Sequence, residues 1–253
     1  MILLKRFTPI LAGILIAITF VLWAILPHII YYVGGTLVVI CLTAVGFLFD
    51  FHFLSRRLWS FTITPLLFLV STFLFFLLIE RLAVQLLVAF AVAVVTSLIL
   101  HNVFKFLYET TGYQPYALEN MYGYVSMATL FMFTAGFYGF SILLGWPVWA
   151  FTAGTVPLVG LLFQRTLWAY KLDWQQSKLK LLTVTLVVTE TFYVTSLLPT
   201  GFLFNSLITT IVYYLLSGIS RDQLRGRLDR QGIRQYVGVS LALSVAAFLL
   251  TRW

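Results

Sequence analysis

Seven of the eight acidic residues in this chain lie at the edges of apolar runs or between them, and the eighth, Glu190, lies inside one. An ionised carboxylate at the centre of a bilayer costs about 2–3 kcal/mol even on lenient insertion scales. The side chain must therefore be protonated, paired or in contact with water. No Lys or Arg lies at mid-run to pair with it. On a helix, Thr183 and Tyr193 share its face at i−7 and i+3. The chain then turns at Pro199-Thr200-Gly201 and returns, and counting to equal depth reaches Thr210 and Tyr214. These two form a hydroxyl stripe with Ser206 and Ser217, and Asn205, Thr209 and Tyr213 form the next one. The expected polar core is thus Glu190, Thr183, Tyr193, Thr210 and Tyr214. It suits a site that moves a proton or cation, and equally a protonated acid tying two helices together through hydroxyls.

A second constellation ends an earlier apolar run. His101 and Lys105 stand one helical turn apart, Glu109 continues their face, and Asn102, Tyr113, Gln114, Tyr116, Glu119 and Asn120 follow closely. The segment Thr111-Gly112-Tyr113-Gln114-Pro115 has the composition of a turn. Lys105 could hold an anionic headgroup while His101, Glu109 or Glu119 moves protons. That is the alternative reading, an inner-leaflet enzyme acting on lipid or glycolipid. An ordinary interfacial loop has the same composition.

A third group, Arg221, Arg225, Arg227, Arg230 and Arg234, is concentrated between two apolar runs. Ser220 and Gln223 have capping-box spacing, and Leu224 with Leu228 gives a thin apolar stripe. These features predict a short helix lying on the membrane surface against anionic headgroups.

Several chemistries lack their residues. All five lysines sit near the ends of apolar runs or between them, which removes a mid-membrane Schiff-base lysine. His28, His52 and His101 are far apart, with no H-E-x-x-H pattern, and Asp50, Asp173, Asp222 and Asp229 include no tight pair for magnesium. Gly139-Phe140-Ser141-Ile142 departs from a Gly-x-Ser-Gly nucleophile motif at its last position, and no phosphate-binding glycine motif occurs. No metal site and no cofactor are expected, and an enzyme is disfavoured without being excluded.

The elements that must position these residues follow from composition. Of 253 residues, 61% are apolar and 9% charged, with a mean hydropathy of +1.01, against about 45–50% and 25% in soluble domains. Water cannot be the solvent for such a chain, because too few polar residues exist to cover it. A helix crossing a bilayer needs about 20 apolar residues, and lipid requires every backbone N–H to be paired within the segment. The predicted fold is an all-α polytopic bundle forming a single membrane domain, 1–253, with nine spans near 7–27, 29–49, 59–79, 82–106, 120–144, 147–170, 179–199, 202–219 and 236–252. The first is expected to be a retained anchor, since its apolar part exceeds the length of a signal sequence core. The weakest joint is Glu80-Arg81, which separates two spans without Gly, Pro or Asn.

Charge sets the expected direction. With the N-terminus in the cytoplasm, the inner segments collect Lys5, Arg6, Arg56, Arg57, Lys105, Lys171, Lys178, Lys180 and the five arginines of the third group. The outer segments collect Arg81 and Arg252 alone, and Arg165 sits near an inner end. Trp59, Trp146, Trp149, Trp168, Trp174 and Trp253 fall near predicted span ends, as amphipathic rings do. The basic excess lies in short loops rather than a groove, so the partners expected are membrane lipids with anionic headgroups and possible other membrane subunits, not nucleic acid. A plasma or inner membrane is the expected location.

Small residues allow helices to approach in lipid. Gly238, Ala242 and Ala246 make the longest such face, with Gly13 and Ala17, or Ala89 and Ala93, as shorter ones; contacts within the chain are the expected use. Gly154, Pro157 and Gly160 predict a kink, and Cys41 is expected as a small core side chain. For function, the leading expectation is transport of a small solute or proton, or membrane-subunit duty in an assembly that does so. An inner-leaflet lipid enzyme and a structural scaffold are the alternatives.

Overall fold

The computed structural model describes residues 2–52, 55–109, 114, 117–172 and 174–250. Among them the chain is helical throughout, without strands. The long helices are α1 (Ile2–Ile25), α2 (Ile30–Leu48), α3 (Arg56–Phe76), α4 (Leu82–Tyr108), α5 (Ala117–Leu144), α6 (Val148–Ala169), α7 (Trp174–Ser196), α8 (Phe202–Leu224) and α9 (Arg230–Leu250). A 3-10 turn at Pro27–Ile29 leads into α2. Each expected span corresponds to one of these helices, and eight of them are long and apolar enough to cross a bilayer. The helix outside those eight is α6, where Pro157, Gln164 and Arg165 dilute an otherwise apolar 22 residues. The chain is a multi-pass helical membrane protein.

Two compact units divide it, Met1–Val125 and Ser126–Trp253, with α5 running from the first into the second. In the first unit α1 packs most extensively on α4, then on α2, and α2 on α3. The α1–α4 seam is antiparallel, since Lys5 meets Tyr108 while Gly13 faces Ala93 and Ser97. A Cβ on Gly13 would lie 2.9 Å from the Ala93 carbonyl oxygen and nearer still to the Ser97 hydroxyl. Here the small-residue rule for lipid holds within the chain. Aromatic rings fill the far end, with Phe20 and Trp23 of α1 against Phe73 and Phe76 of α3. The Glu80-Arg81 joint is a tight reversal between two full helices, closed by the Gln85 amide donating to the Ile79 carbonyl at 2.7 Å.

In the second unit α6 packs on α7, α7 on α8 and α8 on α9. The α8–α9 connection differs from the expected surface helix. α8 runs on to Leu224 and α9 begins at Arg230, which leaves only a turn between them. Gly226, at φ +65°, makes that turn possible. Its N–H and that of Arg227 bond to the carbonyls of Gln223 and Asp222, a glycine-terminated helix end. α9 meets α8 through Tyr236, so close that a Cβ on Gly218 would fall 2.5 Å from the ring. Gly238, Ala242 and Ala246 are exposed at the chain's surface, so the longest small-residue face does not serve the contact within the chain expected of it.

Threonine is unusually well suited to this solvent. Thr62, Thr72, Thr134, Thr166 and Thr209 are buried, and each donates to the carbonyl four residues earlier. A hydroxyl that bonds to its own helix needs no partner from lipid. Cys41 is buried and free, as expected.

Candidate functional site

Glu190 is exposed on α7. It lies six residues before Ser196, the helix's last, about 9 Å along the axis at 1.5 Å per residue. The sequence count placed it midway along the span 179–199; the helix starts five residues earlier and ends three residues earlier, so the acid belongs to the C-terminal half. That half points away from the basic end of the unit, where Lys178 and Lys180 begin α7 and Arg221 ends α8.

The carboxyl group opens onto a groove of about 410 Å³ formed by α6 and α7. Thr152 and Val156 line it from α6, and Leu182, Thr185, Leu186, Thr189, Glu190 and Tyr193 from α7. The α7 set follows the 3.6-residue period of one helix face. Leu182, Leu186 and Val156 are largely exposed and form apolar walls. Thr152 turns its hydroxyl back to the Val148 carbonyl. The buried hydroxyls of Thr185 and Thr189 have no hydrogen-bond partner, and Thr189 is only 8% exposed. Glu190 makes no hydrogen bond or ion pair among the described residues.

Of the expected polar core, the structure brings together Glu190 and Tyr193 only. Thr183, next to the lining residue Leu182 but not itself in the lining, donates to the Leu179 carbonyl at 2.9 Å. Thr210 donates to Ser206, and Tyr214 packs edge-on against Tyr236 of α9 at 5.5 Å. The stripe that faces the interior from α8 is the neighbouring one. Its Asn205, Thr209 and Tyr213 are buried, as are Ser206 and Ser217 of the expected stripe, while Thr210 and Tyr214 themselves are half-buried. Thr210 and Tyr214 were chosen by depth, and depth does not fix the rotation of a helix about its axis.

That interior stripe meets Tyr138, a residue that spacing and composition did not single out. Its hydroxyl donates to the Phe192 carbonyl at 2.9 Å and lies 2.6 Å from Thr195 Oγ1 and 3.1 Å from Thr209 Oγ1. Its ring stacks on Phe192 at 4.3 Å. Nearby, Thr200 bonds to the Asn205 side chain. One tyrosine thus joins α5, α7 and α8 behind the groove. Tyr213 is buried deeper along α8 beside Thr166 and Ser126, and its hydroxyl makes no hydrogen bond of good geometry among the described residues.

The second constellation is partly assembled. Lys105, Glu109 and, from α1, Arg6 lie near enough to His101 for their charges to act on it. No hydrogen bond joins His101, Lys105 and Glu109 among the described residues, and Asn102 instead donates to the Leu98 carbonyl and approaches the Met121 sulfur at 3.4 Å. Glu119 opens α5. Tyr113 and Tyr116 lie outside the described residues.

The same end of this unit holds a cluster that sequence spacing could not show. Lys5 is buried to 4% exposure, and its Nζ donates to Asp50 Oδ1 at 2.6 Å and to the Tyr108 hydroxyl at 2.8 Å. Tyr108 donates in turn to the Leu48 carbonyl at 2.6 Å. Separations of 45 and 103 residues hide such a set from any motif.

The arginine group is split by the α8–α9 turn. Arg221 bonds to Asp222 Oδ1 at 3.1 Å and to the Tyr236 hydroxyl at 2.7 Å, and Tyr236 donates to Asp222 Oδ2 at 2.7 Å. Arg221 and Arg225 each lie 5.0 Å from the Tyr170 ring. Arg227, Arg230 and Arg234 are exposed. Arg221 therefore braces α8 against α9. Among the described residues no group of three or more His, Cys, Asp or Glu could hold a metal ion.

In comparisons with protein families, with curated proteins and with solved structures, nothing matches this chain.

Proposed function

We propose that this multi-pass membrane protein handles a proton or small solute at the α6–α7 groove of its second unit, alone or as the membrane subunit of a larger assembly, with Glu190 as the working acid. The observation that carries the reading is Glu190 itself. A carboxyl group inside a membrane helix, without a hydrogen bond or ion pair among the described residues, opens onto a groove of about 410 Å³. Acids in such places are costly and mark pathways or relays. Tyr193 stands beside it, and the pair lies behind apolar walls rather than in a loop.

The arrangement of charge supports an orientation. In the second unit Lys171, Lys178, Lys180, Arg221, Arg225, Arg227, Arg230 and Arg234 gather at one end. The excess of Lys and Arg favours the cytoplasmic face for such ends, with the N-terminus also cytoplasmic, in a plasma or inner membrane. Glu190 then lies in the outer half of the bilayer. The exposed arginines are placed to meet anionic headgroups.

The test is proton flux in liposomes loaded with a pH-sensitive dye, with an imposed pH gradient and a potassium-valinomycin clamp. Wild-type protein should dissipate the gradient faster than empty liposomes, and Glu190→Gln, with an unchanged melting temperature, should not. Equal flux from both proteins, or none above empty liposomes, overturns the reading for protons.

A further inference from the structure

The groove's lining carries one carboxylate, hydroxyls that can both donate and accept, and no cation. Every polar group it offers can accept a hydrogen bond: the Glu190 carboxylate, the Tyr193 oxygen, and the hydroxyl oxygens of Thr152, Thr185 and Thr189. None is a cation. The hydroxyls of half-buried Thr185 and buried Thr189 are unsatisfied among the described residues, a cost of about 1–3 kcal/mol for each such group that a ligand could recover. Leu182, Leu186 and Val156 supply hydrocarbon around these acceptors.

A ligand that matches must bring donors and positive charge together with an apolar body. A sugar or nucleotide would leave the leucine walls unfilled, and an anion would face Glu190. A hydrated metal cation would find one carboxylate and no second acid among the lining residues. The volume, about 410 Å³, falls in the range of about 300–1,000 Å³ typical of small-molecule sites. Because the groove is open along exposed apolar side chains, such a ligand could enter from lipid, where amphiphiles concentrate.

We propose that the α6–α7 groove binds lipophilic organic amines, with the ammonium on Glu190, its N–H groups shared with Thr185 and Thr189, and the apolar body along Leu182, Leu186 and Val156. This deepens the reading of the groove as the working site by naming a ligand class, and rests on it.

The experiment is equilibrium dialysis of propranolol, a secondary amine with an aromatic body, against the full chain in zwitterionic nanodiscs, with empty discs subtracted. 1-Methoxynaphthalene serves as the neutral control. Saturable propranolol binding is expected. Glu190→Gln should weaken it by about tenfold or more and Thr189→Val by about threefold, as the loss of a charged and of a neutral hydrogen bond dictates. Leu186→Trp should block it by filling the groove, and this variant keeps the test decisive should Glu190→Gln fail to fold. The control ligand should be indifferent to Glu190→Gln. Absence of saturable binding, or equal binding by wild type and Glu190→Gln or by wild type and Leu186→Trp, overturns the proposal. A Glu190-dependent proton flux without amine binding would sink this inference and leave the function standing. Amine binding without flux would do the reverse.

Discussion

Lys5 and Asp50, 45 residues apart, form an ion pair of 2.6 Å whose two members differ sharply in exposure, 5% for the lysine side chain and 54% for the aspartate. The asymmetry determines what each loss would do. Replacing Lys5 by Met leaves a carboxylate that water can reach, at a cost near the ~1 kcal/mol of an exposed pair. Replacing Asp50 by Asn strands the buried ammonium with Tyr108 alone, toward the ~3–5 kcal/mol of a broken buried pair. Asp50 has φ +51°, a conformation that Asn adopts readily, so the substitution removes charge without adding backbone strain. Thermal melting in detergent should show Asp50→Asn clearly less stable than Lys5→Met. The reverse order would mean that the pair does not carry the burial of Lys5.

Two buried tyrosines give a matched contrast. The Tyr138 hydroxyl serves three helices, and Tyr138→Phe should cost about 1–3 kcal/mol through the acceptors and hydroxyls it leaves behind. The Tyr213 hydroxyl, buried beside Thr166 and Ser126, makes no hydrogen bond of good geometry among the described residues, so Tyr213→Phe gives up less and should cost under about 1 kcal/mol. Parallel melting curves check both, and a larger loss at Tyr213 than at Tyr138 would overturn this assignment of the interior.

Helix number was legible because hydrocarbon length and backbone pairing leave lipid-solvated sequence few options. Each expected span found its helix, even across Glu80-Arg81, where turn residues are missing. Glu190 was legible as an exceptional acid, since its cost in lipid is independent of context. Its neighbours were not. Thr210 and Tyr214 were chosen by depth, yet α8 is rotated so that Thr209 and Tyr213 face inward, and only packing decides that rotation. The pairing of Lys5 with Asp50 and Tyr108 was equally hidden, because three helix ends must meet before those residues become neighbours. The stripe of Gly238, Ala242 and Ala246 shows the converse error. Small residues permit close approach but do not supply the partner.

The α1–α4 seam offers a sharper version of the small-residue rule. At Gly13 an added Cβ would collide with the Ala93 carbonyl oxygen and the Ser97 hydroxyl, and backbone cannot yield as a side-chain tip can. Gly13→Leu should therefore force the helices apart and cost more than about 3 kcal/mol, beyond ordinary overpacking. Gly238→Leu on α9 adds the same bulk where an added Cβ meets nothing within 4 Å, and should leave melting nearly unchanged. Equal losses at both positions would refute the seam.

Orientation can be read chemically with the chain's own cysteine as an internal blank. Cys41 is buried at 2% exposure, and a Cys41→Ala background removes any residual signal. Arg227 is exposed in the α8–α9 turn and Leu198 in the α7–α8 turn, so cysteines placed at the two positions report opposite ends of α8. A membrane-impermeant maleimide applied to intact cells should label Leu198→Cys at once and Arg227→Cys only after lysis. The distribution of Lys and Arg predicts this result, because reversing the layout would place eight cationic side chains of the second unit on the outer face. Labelling of Arg227→Cys in intact cells would invert the protein, moving Glu190 to the inner half of the bilayer and the exposed arginines away from the anionic leaflet.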